Sequence, residues 1–74
     1  MKEIRTNCQI VVDKDEYCAF YKEDAVLHRG NNEWGQPGNT PKNSKYLGTL
    51  PAYWFPDLKF EDEPLKAEII IKIK

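Results

Sequence analysis

Hydrophobic and polar residues alternate along both ends of the chain. Near the start, alternate positions hold Ile4, Thr6, Cys8, Ile10 and Val12, with polar residues between most of them. Near the end, alternate positions hold Leu65, Ala67, Ile69, Ile71 and Ile73. A period of two residues is typical of a strand with one buried face. The pattern therefore predicts two long amphipathic strands, at residues 2–12 and 64–74, that form the scaffold of the domain.

Two apolar residues interrupt the polar faces of these strands, Val11 in the first and Ile70 in the second. A loop of the same chain could cover them. Alternatively, they could mark a contact with a second subunit or another partner, because apolar side chains on an otherwise polar face often do.

Residues 14–29 fit two descriptions. As a helix, the segment has Asp13 as its N-cap and Gly30 as its stop. As a hairpin, it has strands at 17–21 and 25–29 that flank a polar turn. The aromatic and β-branched residues favour the hairpin, and the helix stays as the alternative.

The turn between the first two strands decides which side chains share a face. A two-residue turn at Asp13 and Lys14 directs Ala19 inward, whereas a three-residue turn directs Cys18 and Phe20 inward. The sequence leaves both registers open, because both faces carry apolar side chains.

The same turn decides whether the two cysteines can meet. A turn centred on Asp13 places Cys8 opposite Cys18, near enough for a disulfide. Two cysteines are too few for the disulfide framework of a small secreted domain, so we favour buried free thiols.

Residues 30–45 consist almost entirely of turn-forming residues, with three glycines, two prolines and four asparagines. This composition predicts a long loop without a packed element. Beyond it, residues 46–50 read as a strand that Pro51 ends. Residues 52–55 read as extended chain, in which Tyr53 and Phe55 share one face and Trp54 takes the other.

Together these elements predict a mainly β fold, a small antiparallel sheet or partly open barrel of about five strands. The α+β alternative has one helix at 14–29. We expect a single small domain over residues 1–74, with the turn-rich loop at 30–45.

Composition and charge narrow the function classes. The 74 residues are 41% hydrophobic and 31% charged, as in a folded domain, and the net charge is −1. Residues 13–24 and 57–63 each sum to −3, whereas both ends are positive. This argues against general nucleic-acid binding. Neither a leader nor a membrane span is predicted, so we expect an intracellular, cytoplasmic protein, in the host cytoplasm if a phage encodes it.

No residue pattern indicates catalysis. His28 and Ser44 are the only histidine and serine, and no nucleophile motif accompanies them. The cysteines lack zinc-site spacing, and the carboxylates lack the spacing of a calcium loop. We therefore expect no enzyme, no catalytic residue, no cofactor and no metal.

Candidate partner-binding residues are aromatic or acidic, and they are Trp34, Tyr53, Trp54, Asp57, Glu61, Asp62 and Glu63. Tryptophan is common among binding hot spots, and an acidic surface can dock on a basic one. The alternatives are that Trp34 folds back as a lid on the core, that the aromatic run divides between core and surface, and that the acidic residues form solvated turns.

The leading expectation is a small protein-binding module, an inhibitor of the kind that phages and mobile elements encode, which occludes a host or defence protein. The alternative is a small β-barrel that binds single-stranded nucleic acid or a nucleotide. Its basic face would hold Arg5, Lys66, Lys72 and Lys74, and bases would stack on Tyr17, Tyr21, Trp34 or Trp54. A third reading is a homo-oligomeric structural protein, such as a homodimer, built by edge pairing of the terminal strands.

Overall fold

The structure is a computed structural model that describes residues 2–37 and 45–74. Its strands are β1 (Lys2–Val12), β2 (Tyr17–Lys22), β3 (His28–Arg29), β4 (Trp34–Gly35), β5 (Tyr46–Pro51) and β6 (Leu65–Ile73). One turn of 3-10 helix, Ala52–Trp54, follows β5. The mainly β prediction is confirmed. The alternative helix at 14–29 is wrong, because most of its first half is strand β2.

Four strands form an antiparallel sheet in the order β5-β2-β1-β6. The two terminal strands lie side by side, with Lys2 opposite Ile73 and Ile10 opposite Leu65. Their apolar positions therefore share one face of the sheet, as the alternation predicts. Within the described ranges, β6 forms one edge of this sheet and β5 the other.

The register between β1 and β2 differs from both predicted ones. Val12 lies opposite Cys18, so the turn is centred on Asp15 and is longer than either prediction. The pairing is shifted by two residues from the one predicted for the three-residue turn. Because side chains alternate between faces, Cys18 and Phe20 still lie on the same face as Cys8, as that prediction has it.

Two backbone hydrogen bonds close this longer turn. The Asp13 amide donates to the Tyr17 carbonyl at 2.9 Å, and the Glu16 amide donates to the Asp13 carbonyl at 3.3 Å. Glu16 itself has a φ of 73°, in the left-handed region. A turn followed by one left-handed residue is a common hairpin connection, and it accounts for the extra length.

The predicted hairpin over 17–29 is only half right. Strand β2 forms, but its two sides are taken by β1 and β5, so residues 25–29 have no free edge of β2 to join. Strand β3 pairs instead with β4, with Arg29 opposite Trp34. The expectation that 30–45 holds no packed element is therefore wrong at β4, and residues 38–44 lie outside the described residues.

Both faces of the sheet are buried near the β1–β2 turn. On one face the buried side chains are Cys8, Val12, Cys18 and Phe20, and the segment with Ala52, Phe55 and Leu58 packs against them. On the other face the buried side chains are Val11, Ala19, Tyr21 and Trp34, and Ala25, Leu27 and Phe60 pack against them. Val11 is covered by its own chain, as one alternative predicted, whereas Ile70 stays 47% exposed.

Cys8 and Cys18 are both buried and free, as we favoured. Cys8 lies opposite Lys22, and Cys18 lies opposite Val12. The cysteines are thus four residues apart along the ladder, about 13 Å at 3.3 Å per residue, which is too far for a disulfide. Burial raises the pKa of both thiols, so they behave as small apolar core residues.

Candidate functional site

Residues 52–54 coil into a turn that carries two exposed aromatic side chains. The Phe55 amide donates to the Ala52 carbonyl at 2.8 Å, which closes one 3-10 turn. Tyr53 is 78% exposed and Trp54 is 56% exposed. The extended conformation expected for this segment is wrong. Pro51 is the last residue of β5, and a coiled chain places consecutive side chains on the same side more easily than a strand does.

Residues just beyond the turn anchor it to the core. The ring of Phe55 meets that of Phe20 edge to face, with centroids 6.1 Å apart. The Leu58 amide donates to the Phe55 carbonyl at 3.0 Å, and both side chains pack on the buried cluster of Phe20. Tyr53 and Trp54 are therefore held on a turn that the core supports. Their rings meet edge to face, with centroids 6.5 Å apart.

An open cleft of about 500 Å³ separates this aromatic turn from the β1–β2 turn. Its lining includes Asp15, Glu16 and Tyr17 on one side and Tyr53, Pro56 and Leu58 on the other. The Ala52 amide donates to the Glu16 carbonyl at 2.8 Å and ties the two walls together. The cleft combines aromatic and aliphatic surface with two carboxylates, which suits a side chain with an apolar stem and a positive head.

Glu16 gives the cleft a strained wall. A left-handed backbone costs a residue with a Cβ about 1 kcal/mol, and glycine or asparagine is the usual occupant of such a position. This conformation belongs to the β1–β2 hairpin connection, and it sets the position of the Glu16 carbonyl in the wall of the cleft.

Trp34 lies elsewhere, and it is buried. Its side chain is 6% exposed on the opposite face of the sheet, and its backbone amide donates to Asp13 Oδ1 at 2.8 Å. Its indole Nε1 donates to the Phe60 carbonyl at 3.4 Å, and the Arg29 guanidinium lies 4.9 Å from its ring. The lid alternative describes this position. The β3–β4 pairing holds Trp34 against the cluster of Val11, and its role as a partner anchor stays a prediction.

Two of the four predicted acidic residues, Glu61 and Glu63, contact Arg29. Its guanidinium donates to the Glu61 carbonyl at 2.7 Å and lies 3.6 Å from the Glu63 carboxylate. Asp62 Oδ2 accepts a hydrogen bond from the Lys59 amide at 2.9 Å and closes a local turn. Asp57 is separate from this group. It is exposed, and its chain neighbours Pro56 and Leu58 both line the cleft.

Of the predicted residues, the structure places Tyr53 in the lining of the cleft and Trp54 against the Tyr53 ring, while Asp57 follows Pro56 in the chain. It adds cleft residues that the prediction left out, chiefly Glu16 and Tyr17. The sequence signal for Glu16 was weak, since it was one acidic residue among several in a turn. Its proximity to Tyr53 depends on the β2–β5 register, in which Tyr17 lies opposite Pro51.

Some of the residues proposed for nucleic-acid stacking and for the basic face are buried or form ion pairs within the chain. Tyr21 and Trp34 are buried. Arg5 Nε lies 2.6 Å from Glu3 Oε1, and Arg5 Nη1 lies 3.4 Å from Glu68 Oε1. The polar face of β1 and β6 is therefore mixed in charge, which gives a nucleic-acid backbone less to bind.

Other site classes find no support in residues 2–37 and 45–74. These ranges hold no group of three His, Cys, Asp or Glu side chains placed to bind a metal ion. They also hold no helix long and apolar enough to cross a membrane.

Comparison of the chain with protein-family models, with curated proteins and with solved structures found no match. The geometry of the cleft and the aromatic turn is therefore the basis for any functional proposal. It defines a small β-domain with an exposed aromatic pair beside an acidic cleft.

Proposed function

We propose that the protein is a small binding module that takes a segment of another protein in the cleft beside Tyr53 and Trp54. The observation that carries the proposal is the exposure of both rings on a turn that Phe55 fixes to the core. Aromatic side chains are the commonest binding hot spots, because they bury a large area and lose little conformational entropy.

Charge indicates the chemistry of the bound segment. Asp15 and Glu16 line the cleft, and Asp57 is exposed beside it. A partner segment with lysine or arginine next to an apolar side chain would match this surface, since complementary charge speeds association and selects partners. A module of this kind acts by covering its partner, so we propose inhibition by occlusion as its mode of action.

The test is binding of short peptides to the isotope-labelled protein, followed by amide and indole NMR shifts. The probes are hexapeptides with one arginine beside leucine or phenylalanine, and matched peptides carry glutamate in place of arginine. We expect the arginine peptides to shift Tyr17, Tyr53 and Trp54 and the glutamate peptides to shift none of them.

Two variants connect that binding to the aromatic pair. Tyr53→Ala and Trp54→Ala should each weaken the peptide complex by about tenfold or more, as loss of a hot-spot side chain does. Val26→Ala is the matched control, because Val26 is also exposed but neither lines the cleft nor contacts Tyr53, whereas Trp54 packs against the Tyr53 ring. Binding that survives both aromatic substitutions, or that shifts residues away from the cleft, would refute the proposal.

The nucleic-acid alternative makes a different prediction. Single-stranded DNA or RNA would bind at low salt and lose affinity steeply as salt rises, because counterion release drives such binding. Peptide binding with no DNA or RNA binding at low salt would exclude it.

A further inference from the structure

The two edges of the main sheet differ in how open they are to pairing. Strand β5 is irregular, with a register shift after its Gly48 pair, a φ of 145° at Gly48 and Pro51 as its last residue. Bulges, glycine and proline all discourage a further strand from pairing. Strand β6 pairs with β1 without a shift from Leu65 to Ile73. Among the described residues, its other side has no strand partner, so it is a straight edge nine residues long.

The side chains of β6 protect its ends better than its middle. Lys66 and Lys72 lie on the polar face, and lysine on an edge strand usually prevents association. Ile70 lies between them on that same face and is 47% exposed. Glu68, two residues before it, carries the opposite charge to both lysines. The centre of the edge is therefore apolar and has opposite charges on its two sides.

Geometry restricts how two copies of this edge can pair. Directly opposite residues of antiparallel strands point to the same face of a sheet. A two-fold axis between two copies of β6 must therefore place one residue opposite its own counterpart. This rule leaves only a few registers, and the charges on the polar face distinguish them.

A register centred on Ile70 places opposite charges against each other in the middle of the strand. It places Ile70 against Ile70 of the second copy, and it places Glu68 against Lys72 twice. On the apolar face, Ile69 meets Ile71 twice. Lys66 meets Lys74 in this register, but that pair is at the ends of the ladder, beyond the last residue of β6.

Registers centred on Ala67 or Ile71 also avoid opposed like charges, but each pairs only five residues of β6 with the second copy, whereas the Ile70 register pairs seven. The registers centred on Ile69 and Glu68 are worse. A register centred on Ile69 places Lys66 against Lys72, inside the strand, and Glu68 against Ile70. A register centred on Glu68 places two carboxylates in direct opposition. Like charges directly opposite each other are destabilising in a sheet.

We propose that the protein forms a two-fold homodimer in which β6 pairs antiparallel with β6 of a second copy about Ile70. The product is one continuous eight-stranded sheet with a β5 strand at each outer edge. The cleft and the aromatic turn follow β5, at the far side of each sheet, so this contact leaves them accessible. The dimer does not depend on the proposed peptide-binding function, and either can hold without the other.

Sedimentation equilibrium from micromolar to millimolar protein tests the proposal. Because the contact is one strand wide, we expect a concentration-dependent dimer of modest affinity. Ile70→Lys should weaken the association at least about tenfold by placing two ammonium groups opposite each other at the axis. Val26→Lys adds the same charge at an exposed site away from the edge and should leave association unchanged.

A charge swap identifies the register without relying on Ile70. Lys72→Glu should weaken the dimer, because it places Glu68 against a second carboxylate. Adding Glu68→Lys to that variant should restore most of the association. A register centred on Ile69 predicts the reverse for Lys72→Glu, since the new carboxylate would face Lys66 and strengthen the dimer.

Circular dichroism of each variant at low concentration verifies that the fold is kept. This check matters because Glu68 and Lys72 also neighbour residues of β1, where Glu68 contacts Arg5 at 3.4 Å. A protein that stays monomeric at about millimolar concentration, where even weak pairing would show, would overturn the proposal. So would a dimer that neither Ile70→Lys nor the charge swap affects.

Discussion

Strand β1 passes through two different environments, although its apolar and polar positions alternate through both and only Val11 departs from the pattern. From Cys8 onward its residues are buried or half-buried, whereas residues 2–7 are exposed. Strand β2 pairs with β1 only from Cys8 to Val12. Beyond that point, β1 and β6 continue as a two-stranded ribbon that exposes Ile4 and Ile71.

The covered end and the ribbon differ in what packs on them, and that difference is long-range. At the covered end, Phe55 and Leu58 pack on one face and Trp34 and Phe60 on the other. Apart from Val11, one alternating pattern therefore runs through both the buried half and the exposed half of the strand. The alternation predicts which face of a strand is apolar, but the amount of burial depends on segments that are distant in the sequence.

The largest test of this comparison is Trp34→Ala. Removing a buried tryptophan costs about 3–5 kcal/mol of unfolding free energy, and it would also leave Val11 and Tyr21 without their cover. A domain this small has roughly that much stability in total, so we expect most of the variant to be unfolded at room temperature. Urea denaturation followed by circular dichroism measures the loss.

Trp54→Ala is the matched control for that experiment, because the same side chain is removed from an exposed position. It should cost less than about 1 kcal/mol, as substitutions on the surface usually do. Equal losses for the two tryptophans would show that Trp34 is not the cover of the core that the structure describes.

A second pair of substitutions compares the two halves of the scaffold directly. Val11→Ala removes two methyl carbons from a side chain that is 2% exposed, and should cost about 2 kcal/mol. Ile71→Ala removes more carbon from a side chain that is 51% exposed, and should cost about 1 kcal/mol or less. Denaturation midpoints at low protein concentration, where pairing of β6 does not contribute, give both values. A larger loss for Ile71→Ala than for Val11→Ala would mean that the ribbon, and not the covered end of the sheet, holds the core.

The parts of the fold that the sequence predicted are local, and the parts that it did not predict are pairings. Alternation is a property of neighbouring residues, and it predicted both terminal strands to within a residue. The β3–β4 pairing was not predictable in this way, because each strand is two residues long and Trp34 stands among turn-forming residues.

The candidate site shows the same division. Tyr53, Trp54 and Asp57 were predicted because they are conspicuous in the sequence. The exposure of both aromatic side chains was not, because it depends on the 3-10 turn after Pro51. Glu16 joins the site through the β2–β5 register and through the hydrogen bond from the Ala52 amide, 36 residues away in the chain.

The smallest expected effect concerns the pH dependence of stability. Asp13 and Asp24, which lie beyond opposite ends of β2, should change the unfolding free energy with pH in opposite directions. Burial is the main cause that raises the pKa of Asp13, although its hydrogen bond from the Trp34 amide opposes the shift. The hydrogen bond from Lys45 Nζ, 2.7 Å long, lowers the pKa of exposed Asp24.

A raised pKa means that the folded protein holds its proton longer than the unfolded chain, so stability falls as pH rises through that interval. Relative to Asp13→Asn, which keeps the acceptor for the Trp34 amide, the natural protein should therefore lose unfolding free energy as pH rises above the ordinary aspartate pKa. Relative to Asp24→Asn, it should gain unfolding free energy as pH rises up to that pKa. Urea titrations of all three proteins across the acid range give the two differences. Parallel pH profiles for the two variants would mean that the covered end does not desolvate Asp13.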